Sequence, residues 1–332
     1  MIETVSDARA SRLSRNCSHN VRVGEDRGTA SPGVLTKLLP TERLLFAGDV
    51  ACAGTFSCAA EDASFRGGEP STAHCVVFSQ TPVWIQHDAG VRYVADPTVI
   101  TFHNRGRAYR RWRIDGRGDR CRWLAYAEDV ANDVVRRWDS AHADRHRDAP
   151  FRFQFTPAPA ALYLRHHRFF QRVDAAADGL AIEETALRLL HSVAAHAYGA
   201  APRGADAGAP HRDFDAVQHV RERIAASPAA AERLRALAAR VELSPYQLCR
   251  AFSRVTGETL TAYRLRLRLL GSIDGVCAGD DLTSVALAWG FASHSHFTAA
   301  FHRAFGAAPS QVRGRRAARY LAAAAISRRR YR

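Results

Sequence analysis

The sequence predicts a multidomain chain of α and β structure. An antiparallel β barrel or sandwich with two helices comes first, and an all-α unit built on a doubled helix-turn-helix follows. Three observations carry this reading. Short β-branched and aromatic runs, separated by turn residues, fill residues 42 to 127. A Gly-, Ala- and Pro-rich stretch, "GAAPRGADAGAPHRD" at 199–213, divides the chain. Beyond it, "FASHSHFTAAFHRAFG" (291–306) repeats "ELSPYQLCRAFSRVTG" (242–257) at an offset of 49, with Ser244 on Ser293, Phe252 on Phe301 and Gly257 on Gly306.

In chain order, residues 1–41 are polar and rich in Arg and Ser, and read as a flexible extension. Residues 42–198 form the next unit. Its strands are "CVVF", "VWIQ", "RYV", "TVITF" and "CRWLAYA", separated by Thr-Pro, Ala-Gly, Asp-Pro, Asn-Arg-Gly and Asp-Gly. After Pro157 and Pro159 the period turns helical. Leu162, Leu164, Phe169 and Val173 mark one helix, and Leu180, Ile182, Ala186, Leu189, Leu190 and Val193 mark a second. These two helices either pair with a second copy, giving a homodimer, or dock on the β unit. The linker 199–213 leads into residues 214–313, where helices begin at Phe214, near Leu234 and at Pro245. Ser244 is the N-cap of the third and Gly257 its stop. An Arg-rich tail, 314–332, closes the chain.

Composition narrows the function. With 332 residues and 47% hydrophobic content, there is enough material for two cores. The formal net charge is +14, and residues 211–332 hold 20 Arg against 9 Asp and Glu. A surplus placed this way suits a polyanion, because each neutralised phosphate releases condensed counterions. No run of about 18 apolar residues and no signal stretch is visible, so the expectation is a cytoplasmic protein without a membrane partner. Seven Cys form no CxxC pair, which argues against a zinc ribbon or a disulfide framework.

The repeat carries the function. A short helix, a tight turn and a second helix with buried Leu248 and Phe252, and again Phe297 and Phe301, is the pattern of a helix-turn-helix, whose second helix lies in the major groove of DNA. The segment joining the copies, Thr259 to Gly279, has 21 residues, roughly 31 Å if helical. One turn of B-DNA is about 34 Å, so a rigid connector of that length would set two recognition helices into successive major grooves.

From about Phe214 to Arg313 the chain resembles the AraC/XylS family of bacterial transcriptional regulators. The resemblance rests on "LAARVELSPYQLCRAF", "YRLRLRL" and "VALAWGFASHSHFTAAFHRAFGAAPSQVR". Residues 42–198 resemble more loosely the cupin-like sensor and dimerisation domain found ahead of it in many members. The resemblance implies a sequence-specific, effector-responsive regulator that is not an enzyme. Its partners would be double-stranded DNA, a small-molecule effector of unknown identity and RNA polymerase, with no cofactor. Carried over by position, base contacts fall to Tyr246, Cys249 and Arg250 in the first recognition helix and to His294, Ser295 and His296 in the second, with Arg254 and Arg303 placed for phosphates. Three departures stand out: Glu242 where the first turn usually has Gly, Ala299 where members commonly have Arg, and Gly271 and Gly275 inside the connector, which would allow a kink.

In the β unit, Trp84, His87, Tyr93, His103, Tyr109 and Trp112 are the candidate lining of an effector pocket, although such residues are more often plain core. The histidines there are scattered singly and no HxH pair is present, so no metal site is assigned. "HNRGRAYRRW" (103–112) gathers Arg105, Arg107, Arg110 and Arg111 near a turn, to hold an acidic effector or to form a solvated loop. Two other readings stay open: a cupin-type enzyme fused to a DNA-targeting module, and a protein that binds nucleic acid without sequence preference.

Overall fold

A computed structural model describes residues 41–62, 65, 70–88, 90–199 and 211–313. The expected extension, linker and Arg-rich tail lie, apart from their edges, outside these residues. The N-terminal half is a β unit of two antiparallel sheets that do not close on each other. It is therefore a sandwich rather than a barrel.

Its strands are β1 (Thr41–Ala47), β2 (Ala51–Cys58), β3 (His74–Ser79), β4 (Val83–His87), β5 (Tyr93–Ala95), β6 (Val99–His103), β7 (Tyr109–Arg113), β8 (Asp119–Tyr126) and β9 (Phe155–Pro157). One sheet runs β1-β2-β8-β3-β6-β9 and the other β5-β4-β7. In the second sheet Trp84 pairs with Trp112 and His87 with Tyr109. Successive side chains point to opposite faces, so this register puts the two tryptophans on one face and His87 and Tyr109 on the other. The second pair turns inward, towards His103 on β6.

Two short helices, α1 (Glu128–Arg136) and α2 (Ser140–Arg145), follow the strands, where the sequence reading placed none. Their signal was present but brief. Ala131 and Val135 repeat at i, i+4 and are buried, Glu128 and Asp129 sit in the first turn of α1, and Arg136 sits in its last, the favoured ends for those charges. The two long helices fall as expected, α3 at Ala160–Asp174 and α4 at Gly179–Gly199. They dock on the β unit. Tyr163 Oη donates to the Ser79 carbonyl at 3.1 Å, and Tyr126 Oη to that of Ala186 at 3.1 Å.

The C-terminal half comprises α5 (His211–Ala226), α6 (Leu234–Arg240), α7 (Pro245–Thr256), α8 (Leu260–Ala278), α9 (Leu282–Ala288), α10 (His294–Phe305) and α11 (Pro309–Val312). It shares its cores with the first half. One apolar cluster runs from the six-stranded sheet through Leu162, Phe169 and Leu190 to Leu270, Phe297 and Phe301. A second runs from Trp84, Tyr93 and Trp123 to Phe214, Leu248, Phe252 and Tyr263. Each helical hairpin is thus seated on a different part of the N-terminal half.

Polar contacts cross the same junction. Arg221 on α5 and Asp96 after β5 are buried and paired at 2.9 Å, and Tyr263 Oη donates to the same carboxylate at 2.7 Å. Burial disfavours the Arg221 charge, but Asp96 and Tyr263 together more than offset it and hold the guanidinium above its ordinary pKa. Gln218 accepts from the Val94 amide at 2.9 Å, and Trp84 Nε1 donates to Glu222 at 2.8 Å. On α8, Asp274 accepts from Gln80 at 2.8 Å and lies 3.7 Å from Arg122.

Candidate nucleic-acid interface

The first hairpin is α6, a turn at Val241–Leu243, and α7. Ser244 caps α7: its side chain accepts from the Gln247 amide at 3.2 Å, while the Gln247 side chain accepts from the Ser244 amide at 2.9 Å. Leu248, Ala251, Phe252 and Val255 face the core, and Gly257, at φ 75°, ends the helix. The second hairpin repeats this with α9, a turn at Trp289–Ala292, and α10. Ser293 accepts from the His296 amide at 3.1 Å, and Gly306, at φ 71°, ends α10.

The two copies are not in one register throughout. The recognition helices keep the offset of 49, but Leu234–Arg240 matches Leu282–Ala288 at 48. The second turn therefore holds one more residue. Glu242 takes φ 54° where the second copy has Gly290 at φ 75°. Glu242, standing where Gly is usual, is thus left-handed, which is strained for a residue with a Cβ.

The connector α8 is one uninterrupted helix of 19 residues, about 28 Å long, and neither glycine breaks it. A Cβ on Gly271 would lie 2.0 Å from the Trp289 ring, and one on Gly275 3.1 Å from Val285 Cγ2. Both glycines make room for the second hairpin.

On α7, Tyr246, Cys249 and Arg250 are exposed on the face opposite the buried stripe, with the Arg250 guanidinium 5.7 Å from the Tyr246 ring. Arg254 also points outward, but Asp213 on α5 pairs with it at 2.6 Å. On α10, His294, Ser295, His296 and Arg303 are exposed, and the His296 ring lies 5.5 Å from that of Phe291. The outward stripe of α10 also includes Ala299 and His302. His302 was not among the candidates, because the resemblance placed base contacts near the helix N-terminus and gave the outer turns to Arg254 and Arg303. The offset of 49 points to it, as the counterpart of exposed Ser253.

The six candidate effector residues divide between two places. His87, Tyr93, His103 and Tyr109 meet inside the sandwich. His87 Nε2 lies 3.3 Å from His103 Nδ1, and the His103 and Tyr109 rings are 4.3 Å apart. The two histidines that look scattered in sequence are thus brought into contact by the packing of one sheet against the other. Burial lowers His87 to about 4, and burial with His87 and Arg111 nearby puts His103 well below the ordinary histidine value. Trp84 and Trp112 stand on the other face and hold the Arg92 guanidinium between them, at 4.4 and 4.6 Å.

The arginines of 103–112 are not gathered. Arg105 pairs with Glu128 at 2.7 Å, Arg107 with Asp148 at 3.5 Å and Arg111 with buried Asp119 at 2.8 Å. Among the described residues no three His, Cys, Asp or Glu side chains cluster as a metal group, and no helix is long and apolar enough to cross a membrane.

Two capped helix-turn-helix units on one connecting helix, seated on a β sandwich, are the architecture of a DNA-binding protein. Residues 237–315 match the helix-turn-helix domain family. No curated protein matches the chain. Among solved structures it is similar to ToxT from Vibrio cholerae, at 10% identity over 79% of this chain and 97% of that one, with a TM-score of 0.30. It is also similar to ToxT with an unsaturated fatty acid bound, at 12% identity over 72% and 86%, TM-score 0.29. The AraC-like transcriptional activator CuxR gives 12% identity over 68% and 76%, TM-score 0.29.

Proposed function

We propose that the chain is a sequence-specific regulator that places α7 and α10 in successive major grooves and answers to a small molecule held by the β sandwich. The DNA reading rests on the two outward helix faces, each opposite a buried stripe of Leu or Phe and each opened by a Ser cap. Arg250 supplies the strongest base contact, since its fork can bond guanine O6 and N7 together. Arg254 and Arg303 serve phosphates.

One observation carries the effector half. The sheet β5-β4-β7 turns His87, Tyr93 and Tyr109 inward on one face, while its other face grips α5 of the DNA-binding half through Trp84 and Glu222. A ligand seated against the inner face would press on the same three strands that position α5. RNA polymerase and a second copy of the chain are the further partners this reading names.

Selection of duplexes from a random pool by the full-length protein tests it. A defined site should emerge, bound at least tenfold above random DNA. Arg250→Ala should relax preference at one or two adjacent positions of that site, a loss of about 1 to 3 kcal/mol of discrimination. Binding that never exceeds random duplex by tenfold would favour the non-specific nucleic-acid reading instead.

A further inference from the structure

At the centre of the outward face of α10 the surface is hollowed. It is lined by Thr298 and Ala299 together with His294, Ser295, His302 and Arg303, and by Ala308 after the helix. The first copy shows what is missing. At the offset of 49, Arg250 occupies the position of Ala299 and Cys249 that of Thr298. Where α7 projects a guanidinium, α10 offers a methyl group. Thr298 adds to this apolar surface, because its Oγ1 is buried and without a hydrogen-bond partner, which leaves its carbon side outward.

We propose that this hollow receives the 5-methyl group of a thymine, so that the second helix-turn-helix reads an A·T pair by apolar contact. The inference rests on the reading that α10 lies in the major groove. Three features favour that occupant. The thymine methyl is the one apolar group that base edges present there, and Ala and Thr methyls are the side-chain groups that meet it. The hollow lies on the groove-facing stripe rather than on a face packed within the chain. The other side chains lining it, His294, Ser295, His302 and Arg303, are polar, and bond the polar atoms of neighbouring base edges or a phosphate beside the methyl groups of Ala299 and Thr298.

The test uses the full-length chain and the site it selects. The half belonging to α10 is the half whose base preferences survive in the Arg250→Ala variant. Each thymine of that half is replaced singly by deoxyuridine, which removes only the methyl. Wild type should bind one such duplex about fourfold more weakly, the scale set by burying one methyl-sized group. In Ala299→Gly the thymine-to-deoxyuridine ratio at that position should fall to about one, while Ala299→Arg should move the preferred base there to guanine. The ratio compares two duplexes on one protein preparation, so partial misfolding of a variant cancels.

If a site is selected but no deoxyuridine in that half weakens binding, or if Ala299→Gly keeps the wild-type ratio, the hollow does not read thymine and the DNA-binding reading stands. If no site is selected above random duplex, both fail.

Discussion

Asp96 and Arg221 are 0% and 4% exposed, lie 125 residues apart in the chain, and form a 2.9 Å ion pair across the junction of its two halves. Asp96 also accepts from Tyr263 Oη at 2.7 Å and from the Thr98 amide at 2.7 Å. Arg221→Met removes the cation and leaves a carboxylate in a site closed to water. Breaking a buried pair in this way costs about 3 to 5 kcal/mol. Denaturant unfolding should show that loss, and a change below 1 kcal/mol would mean that the pair does little to hold the halves together.

Gly271→Ala sets helix propensity against packing. Propensity alone favours the variant by about 1 kcal/mol. The added Cβ, however, meets the Trp289 ring at 2.0 Å, and overpacking costs about 1 to 3 kcal/mol. We expect net destabilisation, with Trp289 fluorescence altered. A stabilised variant would show that the ring moves aside freely.

Glu242→Gly should act in the opposite direction. Glu242 holds φ 54° and its side chain is exposed, so glycine relieves strain without opening a cavity. The gain is about 1 kcal/mol, read as a higher melting temperature with DNA affinity unchanged. The reciprocal change, Gly290→Ala, should be severe, because a Cβ there would also sit 2.8 Å from Ala229 Cα.

Acid should unfold the protein by way of its buried histidines. Burial lowers His87 to about 4 and holds His103, His166 and His167 well below the ordinary value, with Arg111 near His103 and Arg122 near the other two. Unfolded, these groups take up protons near 6.5, so in that window the unfolded chain binds more protons than the folded one. Stability is therefore lost as pH falls from about 6.5 towards 4, at roughly 1.4 kcal/mol per pH unit for each histidine kept neutral. The double variant His87→Gln, His103→Gln should lower that slope by about two protons. An unchanged slope in denaturation midpoints measured between pH 7 and 5 would exclude these two as its source.

Much of the DNA-binding half was legible because its determinants are local. Ser244 and Ser293 cap helices, Gly257 and Gly306 end them, and the i, i+3, i+4 spacing of Leu248, Phe252, Phe297 and Phe301 states which face is buried, all through contacts within a few residues. The same logic identified β3, β4, β5, β6 and β8, and α3 and α4, but not β1, β2, β7 or β9. It passed over α1 and α2, whose amphipathic pattern lasts little more than two turns.

What the sequence determined by itself is the longer helices and five of the strands, the duplicated recognition unit and the basic C-terminal surplus, since periodicity, caps and charge are properties of short stretches. Only tertiary structure decided that His87 meets His103, that Trp84 and Tyr109 face opposite ways, that Arg254 is held by Asp213, and that Gly271 is a seat for Trp289 rather than a kink. Each of those pairs depends on strand register, sheet packing or helix docking between residues separated by 16 or more positions. Short-range propensity carries no information about which distant surfaces will meet.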